Sequence, residues 1–189
     1  MYTQYSGSGN GYGMPWQIEL TNKLRELWFE HVMWSRAFIM SAINDSKDLD
    51  AVTQRLLRNP ADFAAFLRPI YGVQKAAVFE GLLRDHLLIA GAFVNATKAG
   101  DQQEAEKQKK KWYANADDIA AFLHEINPYW NEKVWKELLY DHLGMLEDEA
   151  TAIMESQYEK SIDIFDQIQA EAMKMADYMA YGILKQTRL

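Results

Sequence analysis

Cysteine is absent from the chain, which excludes disulfide staples, thiolate metal sites and cysteine nucleophiles. The opening MYTQYSGSGNGYGMPW lacks the basic flank and apolar run of a secretory signal. No stretch approaches the ~20 apolar residues needed to span a bilayer. These absences predict a cytoplasmic protein without membrane insertion. There is no surplus of positive charge either: the formal net charge is -7 and the pI is near 5.1. That balance repels phosphate backbones and anionic lipid, so no nucleic-acid partner is expected. The densest basic stretch, Lys107 to Lys111, lies among Asp101, Glu104 and Glu106 and reads as the solvated face of a helix. Gly11 and Gly13 have no strand before them and no Lys-Ser/Thr after them, so no nucleotide is expected. No nucleophile elbow or Ser-His-Asp constellation is visible locally, and whether the protein is an enzyme stays open.

What the chain does have is apolar residues at helical spacing. Hydrophobic residues make up 49% of it, ample for a substantial core. Residues 1–15, rich in Gly, Ser and Tyr and closed by Pro15, read as a flexible tail before a single domain over 16–189. Leu20, Leu24, Leu27, His31, Trp34 and Phe38 recur at steps of three and four and predict a first helix from Trp16 to about Asn44. A short helix to about Arg58 follows. Asn59-Pro60-Ala61-Asp62 then has the composition of a helix start. Pro69 and Gly72 interrupt that segment, and Phe79, Leu83, His86 and Phe93 mark a second long helix ending near Gly100. A third runs from about Asp101 to Ile126, broken by Asn127-Pro128. A short helix carries Trp135, Leu139 and His142, Gly144 marks a bend, and the last helix covers roughly Glu147 to Gln186. No segment alternates like a strand. The expected fold is all-α, an antiparallel four-helix bundle with additional short helices.

Residues 58–87 lie over 114–143 at an offset of 56 without gaps. The overlay pairs Asn59 with Asn115, Asp62 with Asp118, Ala64-Ala65-Phe66-Leu67 with Ala120-Ala121-Phe122-Leu123, and Asp85-His86-Leu87 with Asp141-His142-Leu143. A weaker copy at an offset of 55 sets Glu30-His31-Val32 over Asp85-His86-Leu87. We read an internal repeat in which an acidic-His-aliphatic step occurs three times, and closure of the repeated units into one bundle would bring the steps together.

His31, His86 and His142 each lie on an apolar stripe and point toward the core. A buried imidazole must satisfy two ring nitrogens, and coordination through one with a hydrogen bond on the other is a common solution. Three imidazoles plus carboxylate suit zinc, iron or manganese. The candidate metal ligands are therefore His31, His86 and His142 with Glu30, Asp85 and Asp141. Adjacent helical residues project about 100° apart, so each acidic residue would serve a histidine on another helix or face solvent. Glu-x-x-His, His-x-x-x-His and His-Glu-x-x-His do not occur, which argues against a ferroxidase-like di-iron centre. His124 reads as surface or cap. Asp62 and Asp118, with Asn59 and Asn115, are candidate ligands whose place at expected segment starts favours capping. Trp28, Trp34, Met173, Met175 and Met179 read as packing.

The run LRELWFEHVMWSR, then VTQRLLRNPADF, RPIYG, KWYANADDIAAFL, INPYW and MADYMAYGI resembles a family of all-helical proteins of about this length from spore-forming Gram-positive bacteria. Its members often carry the transferred name acetylglutamate kinase. The chain shows neither an amino-acid-kinase sheet nor a glycine-rich nucleotide loop, so that activity is not expected. The Glu-His-x-x-Trp and Asp-His-Leu steps are similar to a broader metalloprotein-like superfamily of tandem helical bundles. That resemblance implies metal ligation by His31, His86 and His142. The acidic residue which that superfamily places one turn after a histidine is here Ser35, Ala90 or Leu146. Two functions follow as expectations. One is a metal-binding helical bundle for storage, sensing or redox chemistry. The other is a non-catalytic structural or interaction protein, sporulation-associated by the family's hosts, with packed histidines and no metal. Either is compatible with a homo-oligomer.

Overall fold

The computed structural model describes residues 15–187. Among them lie six helices and no strand: α1 (Pro15–Ile43), α2 (Leu49–Leu56), α3 (Asn59–Lys98), α4 (Gln102–Ile126), α5 (Glu132–Met154) and α6 (Tyr158–Thr187). The all-α expectation holds. The expected tail over residues 1–14 lies outside the described residues, and Pro15 already belongs to α1. No helix among the described residues is long and apolar enough to cross a membrane.

Gly72 divides α3. Its φ of 85° and ψ of 166° are non-helical, a conformation open to a residue without Cβ, and Pro69 one turn earlier weakens the helix at the same place. The expected bend at Gly144 does not occur, and α5 continues through it to Met154. Five helices are therefore long, including the one that periodicity made short. The stop comes at Ser156, whose φ is 59°. There Gln157 N–H donates to the Ala152 carbonyl at 2.8 Å and Ser156 N–H to that of Ile153 at 3.0 Å. The same left-handed closure ends α1 at Asp45 (φ 51°) and α3 at Gly100 (φ 72°). In each, the next amide reaches back five residues, Ser46 to Ser41 and Asp101 to Ala96, which satisfies carbonyls the helix end would leave bare. At the starts of α4 and α5, Asp101 and Asn131 accept from the amides of Glu104 and Val134, as helix caps do.

Side-chain pairs fix the directions of the helices. Arg25 pairs with Asp177 and Arg36 with Ser161, so α1 and α6 run antiparallel. Trp28 stacks on Trp135 and Arg36 pairs with Glu149, so α1 and α5 run parallel. Leu82 and Phe93 meet Asn115 and Trp112, which sets α3 antiparallel to α4. Lys98 reaches the Ala42 carbonyl while His86 lies beside His31, which sets that part of α3 parallel to α1. The result is three hairpins: α1 with the first part of α3, the second part of α3 with α4, and α5 with α6. Their parallel members α1, α3 and α5 each carry one of the buried histidines.

Candidate functional site

The three histidines meet in the core. The ring of His31 lies 6.2 Å from that of His86 and 5.7 Å from that of His142, centroid to centroid. All three side chains are buried. Trp28 packs edge-on against His31, and Trp112 lies against His86.

The antiparallel helix of its own hairpin places a polar side chain at Nδ1 of each ring. His31 Nδ1 is 3.1 Å from Asn59 Oδ1, and Asn59 Nδ2 donates to the Leu27 carbonyl at 3.0 Å. His86 Nδ1 is 2.9 Å from Asn115 Oδ1, and Asn115 Nδ2 donates to the Leu82 carbonyl at 3.1 Å. Both carbonyls belong to the residue four before the histidine. An amide nitrogen that donates to a carbonyl turns its oxygen to the ring, so Nδ1 carries the proton and Nε2 is the free lone pair. His142 Nδ1 is 3.3 Å from Glu171 Oε2. That spacing suits an ion pair but is misaligned for a hydrogen bond, and both ring nitrogens of His142 and both oxygens of Glu171 lack a protein hydrogen-bond partner.

Burial, reinforced by His142, pushes His31 down to about 3 against the opposing hydrogen bond to Asn59. Burial does the same to His86, again to about 3, against Asn115. Both are neutral at physiological pH, the state in which imidazole ligates a metal. Glu149 is fully buried beside them and pairs with Arg36, which also donates to the Ser161 carbonyl. Burial pushes the Glu149 carboxyl up, while Arg36 and then His142 pull it down.

The acidic residues expected beside the histidines go elsewhere. Glu30 forms an ion pair with Arg55 at 2.8 Å, and Asp85 and Asp141 are exposed, because a residue adjacent to a core-facing histidine is turned about 100° away from it. Asp62 is half-buried and pairs with Arg58, and Asp118 is exposed in mid-α4. Asn59 and Asn115 are not caps: Arg58 precedes the first turn of α3, and Asn115 lies well inside α4. His124 is exposed, its Nδ1 2.7 Å from the Trp130 carbonyl.

Glu149 and Glu171 were missed by sequence reasoning. For Glu171 a signal exists: positions 59, 115 and 171 are evenly spaced by 56 residues, so Glu171 follows Asn115 as Asn115 follows Asn59. The carboxylate in place of an amide conceals the correspondence.

A cavity of about 20 Å³ adjoins His31 and His86, room for about one water molecule. Ser35, Ala90 and Leu146, each four residues after a histidine, are in its wall together with Phe38 and Phe93. No carboxylate lines it. Among the described residues, no three His, Asp or Glu side chains are already spaced to hold a metal ion. Rings sharing a tetrahedral ion at ~2.0–2.1 Å have centroids about 5 Å apart, so these rings would need to close in by about 0.5–1 Å. His86 would also have to release Trp112, whose Nε1 donates to its Nε2 at 3.2 Å. The donor chemistry fits a metal: two neutral imidazoles, a third imidazole without hydrogen-bond partners, and an amide or carboxylate behind every Nδ1.

No family model, curated protein or solved structure matched the chain.

Proposed function

We propose that the protein is a metal-binding helical protein in which Nε2 of His31, His86 and His142 hold one divalent transition metal. The observation that supports this is a polar group behind each Nδ1: Asn59 and Asn115 accept hydrogen bonds from His31 and His86, and a Glu171 oxygen lies 3.3 Å from that of His142. Metal-bound histidines almost always engage their other ring nitrogen in this way, which fixes ring orientation and tautomer and raises ligand basicity. The hairpins act as three copies of one ring-holding unit, in line with the repeat read from sequence. Three imidazoles with no carboxylate among the ligands favour zinc or iron over manganese. A metal held by these residues would supply Lewis-acid or redox chemistry. The residues themselves orient the rings, keep His31 and His86 neutral and surround the cluster with apolar walls, which suits storage, sensing or redox chemistry. The test is elemental analysis of untagged protein purified without chelator, beside the triple variant His31→Ala, His86→Ala, His142→Ala. Near-stoichiometric metal lost in the variant is the expected result.

One observation favours a second reading. Both ring nitrogens of His86 are already engaged, by Asn115 and Trp112, as they would be in a structural protein whose histidines tie hairpins together. Metal-free protein after reconstitution with zinc and iron, together with a large loss of stability in the triple variant, would favour that reading.

A further inference from the structure

A groove of about 500 Å³ between α5 and α6 is lined by Asp141, Gly144, Asp148, Glu171 and Lys174, with Tyr140 at its edge. Asp141 and Asp148 are exposed, so the wall carries three carboxylates and one ammonium. Glu171 differs from the others: it is 6% exposed, both its oxygens lack hydrogen-bond partners, and one lies 3.3 Å from His142. It belongs both to this wall and to the surroundings of His142. A desolvated carboxylate at the base of an acidic groove attracts cations, and charged walls of one sign raise the local concentration and arrival rate of the opposite one.

We infer that this groove is the loading route for the metal, a cation-capture site in which Asp141 and Asp148 draw a hydrated divalent ion to Glu171, which passes it to His142. The inference rests on the metal-binding reading and adds its direction of entry. Gly144 keeps the passage open: it lines the groove, and a Cβ built there has no atom within 4 Å, so a side chain starts into free space. The small cavity that adjoins His31 and His86 has a mostly apolar wall and no carboxylate to draw a hydrated ion in.

The test follows cobalt(II) uptake by the metal-free full chain in stopped flow, through the visible absorption of the bound ion. Three proteins are compared: wild type, Asp141→Asn with Asp148→Asn, and Gly144→Leu. The double variant is expected to load at least tenfold more slowly with a weaker dependence on ionic strength. Gly144→Leu should also load more slowly, and all three should reach the same end-point absorption. Wild-type loading rates in both variants, with the same end point, would overturn the route and leave the metal site standing. No cobalt bound by wild type at equilibrium would overturn both.

Discussion

Asn115 accepts from His86 Nδ1 at 2.9 Å and donates to the carbonyl of Leu82, one turn before that histidine, so a single amide fixes both the ring and the helix that carries it. Removing it leaves the buried Nδ1–H of His86 without a partner, a penalty of about 1–3 kcal/mol for the unsatisfied donor. Asn115→Ala is therefore expected to lower the unfolding free energy by that amount, read as a lower urea midpoint at unchanged slope, and Asn59→Ala to do the same through His31. Midpoints within error of wild type would show that the amides are not holding the rings.

Stability should fall with acid. The folded values of His31 and His86, about 3, lie below the ordinary 6.5, so the unfolded chain binds protons that the folded one refuses. The stabilisation is complete above pH 6.5 and is lost as pH falls from 6.5 toward 3, by about 1.4 kcal/mol per pH unit for each histidine. Glu149, raised by burial, acts in the opposite sense, since its contribution is present at low pH and lost as pH rises through its folded value. Urea unfolding between pH 7 and 4 should show the acid limb, and His86→Gln should make it shallower. A flat profile would contradict neutral burial of both rings.

Arg36 and Glu149 form a pair in which the carboxylate is wholly buried, and the guanidinium also reaches Ser161 and lies over the Phe165 ring. Arg36→Ala strands the carboxylate and is expected to cost about 3–5 kcal/mol. Adding Glu149→Leu should recover part of the loss, because no buried charge then remains. A double variant no more stable than Arg36→Ala would assign the loss to packing instead.

Two glycines should respond with opposite signs. A Cβ on Gly182 would lie 1.9 Å from Nε1 of the buried Trp130, which donates to the Met179 carbonyl. Gly182→Ala should destabilise by about 1–3 kcal/mol or more through overpacking. Gly81 lies in α3 with no atom within 4 Å of its Cβ position, and Gly81→Ala should stabilise by about 0.5–1 kcal/mol. Thermal melts of the two variants give the comparison directly.

The helices were legible because apolar residues at steps of three and four declare a buried face, and the stops at Gly72, Gly100 and Asn127-Pro128 are marked by the residues that favour them. Ser156 was not legible, since a serine in the left-handed region carries no compositional signal and the glycine at 144 drew the bend instead. Burial of the three histidines followed from the stripes around them. Their partners did not, because Asn59 and Asn115 have the composition of helix caps and only the hairpin geometry turns them toward rings 28 and 29 residues earlier. Glu30, Asp85 and Asp141 were set beside the histidines by adjacency in sequence, which on a helix means a different face.

The most direct test of the metal site is the metal bound per chain by wild type and by Glu171→Gln after equilibrium dialysis against buffered zinc. The account predicts one zinc per wild-type chain, and an affinity lower by about 10–100-fold when the carboxylate behind His142 becomes an amide. Wild-type protein that binds no zinc, or binds it with an affinity indifferent to Glu171, would contradict it.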